Sequence, residues 1–138
     1  MENDTNRRDN LRFATGVPAG ESKELTHEIN DPATIEGVDV RIYRGAELDL
    51  QLVPFARFGG DDAPKTPLVT LIGKDYIDGD GDEFNFTLSE SVTPGDVVGV
   101  EVENVSIQFD YDFAVDMDLD HEGGATRSAT SILGRLFS

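Results

Sequence analysis

The segment KDYIDGDGDE, residues 74–83, places Asp78, Asp80 and Asp82 at alternate positions, with Asp75 just before them. This is the spacing with which the first half of an EF-hand loop offers oxygens to calcium. The rest of that loop is missing. Its sixth position is Glu83, where the sharp turn needs glycine, and its twelfth is Ser89, where calcium needs a bidentate glutamate. The flanking patterns are also those of strands rather than helices. An EF-hand is therefore rejected. Two readings stay open: a solvated acidic hairpin tip, or a looser calcium or sodium site whose ligands are Asp78, Asp80 and Asp82.

Other chemistry is sparse. His27 and His121 are the only histidines, and neither has a second histidine at ligand spacing. With 28 acidic residues, carboxylate pairs of the kind that flank a glycosidic bond arise from composition alone. No nucleophile elbow, phosphate loop or dinucleotide fingerprint is present. Cysteine is absent, which excludes disulfides, thiolate metal sites and a cysteine nucleophile. The chain is predicted not to be an enzyme and to require no cofactor, with Ca or Na as the ions its acids suggest.

The elements that would position these groups are strands. Residues 105–120, VSIQFDYDFAVDMDLD, carry Val105, Ile107, Phe109, Tyr111, Phe113, Val115, Met117 and Leu119 on one parity. Ser106, Gln108 and five aspartates lie on the other. A period of two gives a strand with one buried and one solvated face. At ~3.3 Å per residue it would span roughly 50 Å, so it is either a long ribbon or a chain that bends between two sheets. Phe109, near its centre, is predicted to be core, and Asp112 to be exposed.

Similar alternation appears in Leu11–Val17, Leu25–Ile29, Val38–Ile42, Leu48–Leu52, Phe84–Leu88 and Val98–Val102, and PLVTLIG reads as a further short strand. A change of parity between Leu52 and Phe55 predicts a bulge or strand end at Pro54, and another predicts a bend near Asn104. Seven or eight strands separated by Gly, Pro and Asp turns, with no central helix, predict an all-β protein: an antiparallel β-sandwich of jelly-roll type. The expected division is an N-terminal arm (1–10), the sandwich (11–122) and a C-terminal extension (123–138).

Net charge is −17, and lysine occurs only at Lys23, Lys65 and Lys74. This excess repels phosphate backbones, so nucleic acid is not an expected partner. No apolar run approaches the ~20 residues of a membrane span. Positive charge gathers at Arg7, Arg8 and Arg12, which are read as a free end or as an arm lying on the acidic face of a neighbouring copy. Residues 123–138 contain no acid, and Ile132, Leu133, Leu136 and Phe137 fall at helical spacing. Their stripe is too short to be stable alone, so it is predicted to pack against protein. Together these form the candidate assembly contacts.

The runs VPAGESKELTHEINDPATIEGVDVRIYRGAELDL and LSESVTPGDVVGVEVENV, together with the acidity, resemble virion structural proteins of haloarchaeal viruses. The resemblance implies a capsid, turret, decoration or tail-associated subunit whose partners are copies of itself and other virion proteins. It also implies localisation in the virion after assembly in the cytoplasm of a halophilic host. The rival reading is a β-sandwich binding module for carbohydrate or a host surface, calcium-assisted at the Asp78–Asp82 tip. Charge repulsion is screened within about 3 Å at molar ionic strength but reaches ~10 Å at 0.1 M. The melting temperature followed by circular dichroism should therefore fall as NaCl or KCl is lowered from molar to ~0.1 M; an unchanged value would remove the halophilic reading.

Overall fold

The computed structural model describes residues 8–121 of the 138-residue chain. Eight strands run in order: β1 (Arg8–Val17), β2 (Ser22–Glu28), β3 (Ala33–Ile42), β4 (Leu50–Arg57), β5 (Thr66–Pro67), β6 (Asp82–Val92), β7 (Val97–Asn104) and β8 (Tyr111–Asp120). They form two antiparallel four-stranded sheets, ordered β1-β8-β3-β6 and β2-β7-β4-β5. The first strand pairs with the last, the second with the seventh, the third with the sixth and the fourth with the fifth. These nested pairs make one long hairpin rolled upon itself, which is the jelly roll expected from the turn and strand pattern.

The core lies between the sheets. Phe13, Val38, Val40, Ile42, Phe113, Val115 and Met117 enter from the first, and Leu50, Leu52, Val98, Val100 and Val102 from the second. Alternation holds along β3 only because of a bulge between Ile35 and Gly37. Against β8 the extra residue is Glu36, and odd-numbered Ala33 and Ile35 and even-numbered Val38, Val40 and Ile42 all reach the same core.

Several sequence expectations change. The first strand begins at Arg8, inside the stretch read as an arm. Residues 68–73 form no strand; Leu68, Val69 and Leu71 pack against the core as irregular chain. β4 passes through Pro54 with no register shift against β7. The Pro54 carbonyl accepts from Leu68 N at 2.8 Å, on the β5 side. A residue's N and C=O point to the same neighbour on a strand, so the missing N–H faces the short edge strand and leaves the β4–β7 ladder intact.

The largest correction concerns residues 105–120. The strand starts only at Tyr111, and residues 105–110 form the connection that carries the chain from one sheet to the other. Phe109 is 58% exposed and is not core, whereas Phe113 is buried. Asp112 and Asp118 are exposed on the outer face as expected, but Asp120 is buried. Phe113→Ala should cost about 3–5 kcal/mol through the cavity it leaves, and Phe109→Ala less than ~1 kcal/mol. Urea denaturation of both variants measures the difference, and equal losses would contradict this placement.

Candidate functional site

The acids proposed as metal ligands do not converge. The Asp78 carboxylate takes the Lys74 ammonium at 2.9 Å on each oxygen. Asp80 accepts from Gly45 N at 2.6 Å, and Asp82 from Asp80 N at 2.8 Å. Asp78 and Asp82 thus hold local turns, whereas Asp80 ties the 74–83 segment to the β3–β4 turn. Among the described residues no group of three or more His, Asp or Glu side chains is arranged to hold a metal. His121 lies with Nε2 2.8 Å from an Asp9 oxygen and Nδ1 2.9 Å from the Pro32 carbonyl, tying β1, β8 and the β2–β3 turn together.

Arg8 and Arg12 do lie on an acidic face, but it is that of their own chain. Arg12 meets Asp116 at 2.9 Å; Arg8 meets Glu36 at 2.6 Å and Asp120 at 3.7 Å. The β1–β8 register puts Arg12 opposite Asp116 and Arg8 opposite Asp120, so strand pairing itself aligns the charges. Arg7, Ile132, Leu133, Leu136 and Phe137 lie outside the described residues. So does the expected C-terminal extension.

Between Arg12–Asp116 and the parallel Arg41–Glu83 pair (2.8 Å), the outer face of the first sheet has a hollow of about 280 Å³ lined also by Asp39. The Asp39 carboxyl is held above the ordinary range, first by desolvation and then by repulsion from Asp118, Asp116 and Glu83. The nearby guanidiniums are each engaged with another acid.

The opposite character appears at one end of the sandwich, where the 105–110 connection meets the β3–β4 turn. Asn104 is buried and makes three hydrogen bonds: its amide donates to the carbonyls of Val17 (2.9 Å) and Phe109 (2.8 Å), and its Oδ1 accepts from Ser106 N (2.9 Å). The Ser106 hydroxyl accepts from the Gln108 and Phe109 amides, each at 3.1 Å. These Asx and Ser turns draw the polar side chains in. Exposure is consequently 44% at Val105, 90% at Ile107 and 58% at Phe109.

The connection is tied to the β3–β4 turn by Val105 N to Asp49 O (2.9 Å) and Tyr111 Oη to Asp49 Oδ2 (3.3 Å). In that turn Glu47 and Leu48 adopt positive φ, 49° and 69°, uncommon for residues other than glycine, and Leu48 is 54% exposed. Exposed Leu48, Val105, Ile107 and Phe109 thus lie on two joined segments that also carry Glu47, Asp49 and Asp110. Reading the period-two pattern alone misses it; the spacing of Asn104 and Ser106 was the signal for a turn.

No protein-family model matches the chain, and no curated protein sequence does. The fold matches a chain of the T13 infectious bursal disease virus particle with a TM-score of 0.54 and 11% identity, over 88% of this chain and 32% of that one. The VP2 subviral particle of infectious bursal disease virus matches with a TM-score of 0.50 and 12% identity, over 88% of this chain and 34% of the other. The Yersinia pseudotuberculosis-derived mitogen matches with a TM-score of 0.50 and 8% identity, over 79% and 84%. At such identities the likeness is one of fold. This chain spans about a third of the length of the viral chains it matches.

Asp39 gives a pH test. A carboxyl whose folded pKa is raised favours folding while protonated, and that contribution is lost as pH rises from the ordinary value of 3.8 through the folded value. Asp39→Asn should therefore melt at a higher temperature than the parent at neutral pH in dilute salt. The gain should vanish below the ordinary aspartate range and shrink in molar salt. A gain independent of pH would refute the electrostatic origin.

Proposed function

We propose that this protein is a non-enzymatic structural subunit that assembles with copies of itself. The finer reading is a capsid, turret, decoration or tail-associated subunit of a halophilic virus particle, localised to the virion after assembly in the cytoplasm of its host. The observation that carries the reading is the exposed apolar end formed by Leu48, Val105, Ile107 and Phe109. These residues belong to the β3–β4 turn and the 105–110 connection, which the Val105 N to Asp49 O bond joins, whereas the exposed Phe58 and Ile72 lie in other loops. On a chain of net charge −17, an ordered apolar group is a place where another protein surface gains by association. The jelly-roll likeness to chains of a viral particle supports the same reading. So does the acid excess with few lysines, which suits brine.

Light scattering of the full chain in molar salt is the test. The expected result is a mass that is a multiple of 15.0 kDa and grows with concentration. A single-chain mass at every concentration and salt would overturn assembly and favour a binding module for carbohydrate or a host surface.

A further inference from the structure

We infer that the apolar end around Ile107 and Phe109 receives residues 125–138 of a second copy of this chain, so that copies join head to tail. The inference rests on the assembly reading and names its contact. Charge complementarity is its first support. The chain neighbours of the apolar end are mostly acidic, Glu47, Asp49, Glu103 and Asp110 against Arg44 in the same β3–β4 turn, whereas residues 123–138 contain no acid and two arginines, Arg127 and Arg135. In those residues Ile132, Leu133, Leu136 and Phe137 supply the apolar stripe that such an end would cover. Molar salt screens the ionic part of this contact and leaves the apolar part in place.

The second support is where the chain leaves the sandwich. The β1–β8 register sets Val17 opposite Tyr111 and Arg8 opposite Asp120. The β3–β8 register sets Ile42 opposite Phe113 and Thr34 opposite Asp120. The apolar end therefore lies at the start of β8, and His121, the last described residue, lies at the far end, about 33 Å away at ~3.3 Å per residue. To return to its own molecule's apolar end, the segment from His121 to Ile132 would have to run almost fully extended along the whole sandwich, since 11 residue steps reach at most about 40 Å. A copy stacked against the far end requires no such path.

A contact between two different surfaces is heterologous. Each added copy leaves one apolar end and one C-terminal segment unused, so assembly continues until a ring closes or a filament grows. This predicts a complementation that contact between two copies of one surface cannot show. One full-length variant, Ile107→Ser with Phe109→Ser, removes the receiving surface; another, Leu133→Ser with Leu136→Ser, removes the inserted one. Ile107 and Phe109 are exposed, so the first variant should keep the parent's circular dichroism spectrum.

By light scattering in molar salt, each variant alone should associate at least tenfold more weakly than the parent. An equimolar mixture should form a one-to-one dimer and nothing larger, because one intact surface of each kind remains. If the parent assembles and both variants assemble equally well, the assembly reading survives and this contact is overturned. Two variants that fail alone and also fail when mixed overturn the head-to-tail geometry. A parent that is a single chain at every concentration, destabilised to the same extent by either variant and no further by both together, shows the segment docked within its own molecule and overturns both readings.

Discussion

The passage of the chain from β7 to β8 depends on the buried side chain of Asn104. These strands are adjacent in sequence but belong to opposite sheets, so the chain must cross the end of the core without leaving buried amides or carbonyls unpaired. Asn104 meets this requirement with one side chain, donating to Val17 on β1 and Phe109 in the connection while accepting from Ser106. Each such bond contributes only about 1 kcal/mol net, whereas a buried group left unpaired costs about 1–3 kcal/mol. The crossing geometry follows, and with it the outward aim of Ile107 and Phe109. The apolar end is thus a consequence of satisfying the backbone at the sheet boundary.

This explains which parts of the fold were legible beforehand. Alternation located β1, β6 and the Val38–Ile42 and Val100–Asn104 parts of β3 and β7, where one face meets the core. The pattern in residues 105–110 is equally regular, yet there Ser106 is buried while Val105, Ile107 and Phe109 are exposed, since hydrogen bonding to Asn104 and Ser106 decides orientation. The change of parity near Asn104 does mark the bend where β7 ends, but the regular pattern beyond it conceals that β8 begins only at Tyr111. The aspartates at 78, 80 and 82 have a spacing that resembles that of metal ligands, and each carboxylate has a partner within the chain: Lys74 for Asp78, the Gly45 amide for Asp80 and the Asp80 amide for Asp82.

The charge pattern was read correctly in kind and differently in place. β8 does present Asp112, Asp116 and Asp118 outward, and arginines do lie across that acidic face. Antiparallel pairing with β1 supplies the arginines from the same molecule, so they neutralise part of the acidic face without a neighbour. The contrast between this face, charged and internally compensated, and the apolar end is what gives the sandwich a directional surface.

Phe55 lies on the outer side of β4, apart from the central core, and is nonetheless fully buried. Arg57 and Lys65 cover its ring at 5.8 and 5.2 Å, and Lys65 is held in turn by Glu24 (2.7 Å) and Glu101 (3.3 Å). A Cβ on Gly99 beneath it would collide with the Leu25 carbonyl and sit 3.1 Å from the phenyl edge. Most of this protein's surface can accept another carboxylate, because further acidity only extends a property it already has. At Arg57 and Lys65 the same change would uncover an aromatic ring and set like charges against Glu24 and Glu101. The tolerance of the surface to added acid therefore has a boundary, drawn around one phenyl ring by two of the few cations the chain retains.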